Sequence, residues 1–168
     1  MRIVGIDPGY AIVGYGAIDF NGNAFRTVEY GAVTTKAHTP FNDRLVYIDR
    51  EITEFLLRVR PQALAIEKLF FNSNQKTAID VAQARGVTVV AAAKMGIPIF
   101  EYTPLQVKMS VVGYGRAEKS QVMEMTRLIL GLAAVPRPDD TADALAIAIC
   151  HAHTAASNMG QIYMGARK

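Results

Sequence analysis

The sequence has a single cysteine, no long apolar run and little excess of either charge, and each shortage removes a class of protein. With only Cys150, set in an Ala- and Ile-rich stretch, there is neither a disulfide framework nor a thiolate metal cluster, and the residue reads as a small buried hydrophobe. The apolar runs, such as Val87 to Ala93 and Ala144 to Cys150, are far too short to span a bilayer. No basic-then-apolar leader precedes the first predicted strand, so a cytoplasmic protein without membrane contact is expected. Repeats and low-complexity tracts are missing, and no linker divides the chain. What remains is 168 residues, 51% of them apolar, enough for one substantial core and not two. A balance of 18 basic against 15 acidic residues says little by itself about partners.

Strand and helix signals alternate along the chain. Ile3 to Asp7 reads as a buried strand, Ala11 to Phe20 as a second, and Asn21-Gly22-Asn23 as a tight turn into a third, Phe25 to Thr35. After Pro40, the residues Phe41, Leu45, Ile48, Ile52, Phe55, Leu56 and Val59 recur at helical spacing until Pro61 stops them. Ala63 to Glu67 predicts a short buried strand, Asn74 to Met95 a helix and Ile97 to Tyr102 another strand. Thr103 caps and Pro104 opens a short helix to about Val112, which Gly113-Tyr114-Gly115 breaks. A helix follows from about Ala117 to Leu130, and a last one begins near Asp139 or Asp140. Three strands in an antiparallel meander, then strands joined through helices, predict an α/β fold. The expected sheet is mixed and five-stranded, of ribonuclease H-like type, with helices on both faces. The body is expected over 1–156, with a loosely held tail from Ser157 to Lys168.

Two of the predicted strands end on an acid. Asp7 closes Met1-Arg2-Ile3-Val4-Gly5-Ile6, and the following Pro8-Gly9 forces the chain to turn there. An Asp-Pro-Gly turn with a solvated acid is the bland explanation. Glu67, however, ends the apolar Ala63-Leu64-Ala65-Ile66 in the same way, and a neighbouring parallel strand would set it beside Asp7. Such neighbours repel unless a divalent cation lies between them. Asp140 and Asp143, three apart at the start of the last helix, project from one face of its first turn. Capping and the helix dipole favour acids there as well, but the joint pattern is an all-oxygen set suited to Mg²⁺ or Mn²⁺. Two ions so held form the clamp used for phosphoryl transfer, which makes a phosphodiester the natural substrate. With these four acids set aside, 18 basic residues stand against 11 acidic, a balance of +7 that suits a polyanion.

Five ordered segments carry a resemblance over nearly the whole chain. GIDPG (Gly5 to Gly9), AIEKLFF (Ala65 to Phe71), QARGV (Gln83 to Val87), VKMSVVGYGRAEKSQV (Val107 to Val122) and DDTADALAIAI (Asp139 to Ile149) resemble the RuvC family of Holliday junction resolvases. The resemblance implies a homodimeric, Mg²⁺-dependent endonuclease that cuts a four-way DNA junction at symmetric positions and works beside the RuvA and RuvB branch-migration proteins. It implies that Asp7, Glu67, Asp140 and Asp143 are the catalytic, metal-holding acids. Asp139 stands immediately before them as an extra acid, and the sequence leaves open whether Asp139 or Asp140 faces the metal. Lys108 and Lys119 match basic residues near the scissile phosphate, where an ammonium offsets developing charge. Phe70 matches an aromatic at the junction's opened centre, where stacking on an unpaired base is worth about 1–3 kcal/mol.

Competing readings are weaker. An actin-like ATPase fragment would need a second phosphate loop, and Asp7-Pro8-Gly9 is the only D-x-G in the chain, so no nucleotide cofactor is expected. A non-catalytic binding module has no need of four converging acids, whereas a ribonuclease H-like enzyme acting on RNA does. His151 and His153 resemble a metal pair, but two residues apart on a helix they point in widely different directions.

Overall fold

A computed structural model describes residues 1–69 and 75–165. The elements are β1 (Arg2–Asp7), β2 (Ile12–Phe20), β3 (Phe25–Thr34), α1 (Phe41–Val59), β4 (Ala63–Glu67), α2 (Gln75–Lys94), β5 (Ile99–Tyr102), α3 (Pro104–Val112), α4 (Lys119–Ile129) and α5 (Asp139–Gly165). One five-stranded sheet has the order β3-β2-β1-β4-β5. Strands β1, β2 and β3 form the antiparallel meander, while β4 joins β1, and β5 joins β4, in parallel. This is the mixed α/β, ribonuclease H-like arrangement that the order of elements predicts. Among the described residues no helix is long and apolar enough to cross a membrane.

Alternation along the central strands builds a core on each face of the sheet. Ile3 and Ala65 point into one core, with α3, α4 and α5, and Val4, Ile6, Leu64 and Ile66 point into the other, with α1 and α2. Helix α1 buries Ile48, Ile52, Phe55, Leu56 and Val59, a stripe at three- and four-residue spacing, and ends where Arg60 turns left-handed before Pro61. Helix α5 differs. Between Ala144 and Ile149 every residue is buried, so it is the central helix of its layer, enclosed by the sheet below and by α3 and α4 above. It runs continuously from Asp139 through Gly165.

Small residues let α5 sit directly on the strands. A β-carbon on Gly5 would collide with the Ala144 carbonyl oxygen, and one on Gly14 with the Asp140 carbonyl oxygen. On Gly16 it would meet the Leu145 side chain instead. Glycine inside a strand commonly marks such a close approach of another backbone. Because Gly14 is the residue paired with Asp7, its seat brings the start of α5 to the end of β1.

Candidate active site

Asp7 is the last residue of β1 and shares its side-chain parity with Ile3 and Gly5, which places it on the α5 face. Glu67, the last residue of β4, shares parity with Ala65 on that same face. The register Ile6↔Ile66 makes the two acids lateral neighbours on strands about 4.8 Å apart. The first turn of α5, lying against Gly14, brings Asp140 to the rim, and Asp143 follows one turn deeper.

The charges of these groups act on one another. Asp7 is pushed up to about 8, first by burial and then by the charges of Glu67, Asp143 and Asp140, while Lys119 pulls against them. Burial, and then Asp143, raise Glu67, again against Lys119. Asp143 is likewise raised by burial and drawn back by its hydrogen bond from Lys119, whose Nζ lies 2.8 Å from Oδ2. Asp139 is engaged elsewhere: it pairs with Arg137 and stands 3.8 Å from the Lys119 ammonium. It is not among the groups that raise Asp7, so of the two adjacent acids Asp140 is the one whose charge reaches the strand end.

Lys108 and Lys119 are held by two helix starts. Thr103 and Gln106 form a reciprocal capping box that fixes α3, and Glu118 with Gln121 does the same for α4. Both lysines line a cavity of about 180 Å³ together with Glu67 and Asp143, over an apolar floor that includes Val107, Val122 and Ile147. Phe70 lies outside the described residues. The two histidines go separate ways, His151 Nδ1 meeting the Tyr102 hydroxyl at 2.7 Å and His153 Nδ1 the Ser110 hydroxyl at 3.2 Å.

A family model described as crossover junction endodeoxyribonuclease RuvC matches residues 3–151. The chain belongs to the RuvC family. It is 58% identical over 154 residues to the crossover junction endodeoxyribonuclease RuvC of Ruminiclostridium cellulolyticum, covering 92% of this chain and 93% of that protein. Among solved structures, Thermus thermophilus RuvC superposes with a TM-score of 0.86 at 40% identity, over 95% of this chain and 97% of that one. T. thermophilus RuvC in complex with Holliday junction substrate gives a TM-score of 0.89 at 40% identity, over 94% and 96% of the two chains.

In this RuvC chain the acids suit a divalent cation by their chemistry. The donors are all carboxylate oxygens, as hard ions prefer, and a buried Asp7 held near 8 gains most from a positive charge beside it. Among the described residues no three of these side chains are already drawn close enough to grip an ion. Lys119, 2.8 Å from Asp143, supplies positive charge beside them. Sequence reasoning missed the glycine seat beneath α5. Its signal was present in Gly14 and Gly16, two glycines on the same face of one strand.

Proposed function

We propose that this chain is a Holliday junction resolvase whose active site is Asp7, Glu67, Asp140 and Asp143, with Lys108 and Lys119 beside the scissile phosphate. The observation that carries the reading is that β1, β4 and α5 bring their acids to one end of the sheet, near enough for the charges of Glu67, Asp143 and Asp140 to raise Asp7, with burial, to about 8. The four acids would hold Mg²⁺, two ions per site, with Mn²⁺ as a substitute. Bound there, such ions would supply the Lewis acidity that phosphodiester hydrolysis needs. The lysines have a different task. Lys119 keeps Glu67 and Asp143 closer to their ionised forms, and with Lys108 it offers fixed positive charge across the cavity mouth to a phosphate. The apolar floor under them limits stray water.

One chain carries one such site, so paired cuts in a four-armed substrate call for a homodimer whose two-fold axis matches the junction's own. RuvA and RuvB as partners, Phe70 at the junction centre, a cytoplasmic location and a nuclease body over 1–156 complete the proposal. Assay of a four-way DNA junction, linear duplex DNA and RNA with Mg²⁺ tests it. Cleavage confined to the junction is the expected result, and equal or preferred cutting of RNA would refute it.

The role of Lys119 has its own test. Removing its ammonium in Lys119→Met lets Glu67 and Asp143 rise further, so the acidic limb of the cleavage–pH profile should move to higher pH. An unmoved limb in a folded variant would show that the ammonium does not set the protonation of the acids.

A further inference from the structure

The acid cluster has the wrong sign for a polyanion, so DNA that reaches it must be held by cations on its flanks. Lys108 and Lys119 serve one flank. On the other, beyond β2, a cavity of about 450 Å³ opens between the end of β3 and the start of α1, lined by Thr34, Thr35, Lys36, Asp43, Arg44 and Tyr47. We propose that this cavity is a second seat for the substrate, in which Lys36 and Arg44 take a backbone phosphate a few nucleotides from the one that is cut. The inference rests on the nuclease reading and adds a binding site to it.

Topology puts the cavity on the right rim. Strand β3 runs parallel to β1 through the shared partner β2: Asp7 pairs with Gly14, and Gly14 with Ala32. The carboxyl end of β3 therefore emerges at the same edge of the sheet as the acids, two strand spacings or about 10 Å to the side at Ala32, and the cavity lies past Thr34 toward α1. That offset alone equals about three steps of about 3.4 Å along the duplex axis, so the seat falls several nucleotides from the cut. The two places are also tied together by hydrogen bonds. The loop that leaves Asp7 continues through Tyr10, whose carbonyl accepts a 2.8 Å hydrogen bond from the Thr35 hydroxyl, while the Thr35 N–H donates to the Ala11 carbonyl at 2.9 Å.

Arg44 is pre-set for an acceptor. Its Nε donates to the Thr39 carbonyl at 3.2 Å, and its guanidinium carbon lies 5.7 Å from the centroid of the Tyr10 ring, which Phe41 braces edge-on. Most described arginines pair with a carboxylate, but among the described residues Arg44 and Lys36 do not. The terminal nitrogens of the Arg44 fork are thus available for the geometry that phosphate oxygens match. Asp43 is the one acid on the wall, and it weakens the seat.

Binding of a four-way DNA junction across a salt series, measured by fluorescence anisotropy on the full chain, tests the seat. Lys36→Gln and Arg44→Gln should each weaken binding about five- to ten-fold and flatten the salt dependence by about 0.9 in log–log slope, one phosphate contact's worth. Asp43→Asn should tighten binding, an effect that a merely structural role would not produce. Lys36 is exposed, so its variant decides the matter even if Arg44→Gln fails to fold. Wild-type affinity and slope in folded Lys36→Gln, or weaker binding by Asp43→Asn, would overturn the seat. Failure of the wild type to bind or cut the junction would instead overturn the nuclease reading.

Discussion

Asp7→Asn should abolish junction cleavage, by about 10³-fold or more, while junction affinity stays within a few-fold of wild type and the cation-free protein becomes more stable. Cleavage is lost because the most central of the four acids no longer offers a charged oxygen. Affinity survives because the cations that hold DNA lie on the flanks. The gain in stability follows from linkage. Asp7 sits at about 8 in the folded chain and in the ordinary carboxylate range when unfolded, so between those values the folded state binds a proton that the unfolded state does not. The stabilisation from that proton is fully present below the unfolded pKa and disappears as pH rises through about 8. Asparagine is neutral throughout and escapes the loss, so the variant's advantage should grow between about pH 4 and pH 8. It should reach a few kcal/mol, since each unit is worth about 1.4 kcal/mol. Thermal melts of both proteins at pH 5 and pH 8, with and without Mg²⁺, check this. Mg²⁺ should raise the wild-type midpoint and leave the variant nearly unmoved. A variant less stable than wild type at pH 8 would mean that the acids do not strain the fold.

Gly14→Ala should cost about 10²-fold in cleavage although it lies on a strand and carries no functional group. One added methyl collides with the Asp140 carbonyl, which belongs to helix backbone and cannot swing aside. The start of α5 must lift, and a displacement of about 1 Å at a site of fixed geometry is worth about that factor. Junction binding should be nearly unchanged, which separates the effect from unfolding. Full activity would show that Asp140 and Asp143 need not be held against the strand. Gly5→Ala makes the harsher comparison, because its methyl would strike Ala144 in the fully buried second turn of α5 and cost stability as well.

Much of this was legible because burial imposes a period on sequence. The stripe Ile48, Ile52, Phe55, Leu56, Val59 can only be one face of a helix, and Pro61 can only end it. Strand β1 was readable for a related reason. An apolar run that stops at Asp7-Pro8-Gly9 has nowhere to place the acid except its own carboxyl end. The pairing of β1 with β4 was harder, since it joins segments about sixty residues apart, and only the matching acid on Glu67 pointed to it. The engagement of Asp139 was only half legible. Arg137, which pairs with it, stands two positions before it, but Lys119 arrives from a different helix.

By itself, then, the chain determined which residues form each strand and helix, which of their faces are apolar and where the acids fall, because each is a matter of neighbours within a few positions. Tertiary structure alone decided that Asp7 is held near 8, that Lys119 reaches Asp143 and Asp139, that glycines seat α5 and that Lys36 and Arg44 share a cavity. Those outcomes turn on ångström-scale distances between remote segments, and such distances are set by how whole faces pack rather than by any local run of sequence.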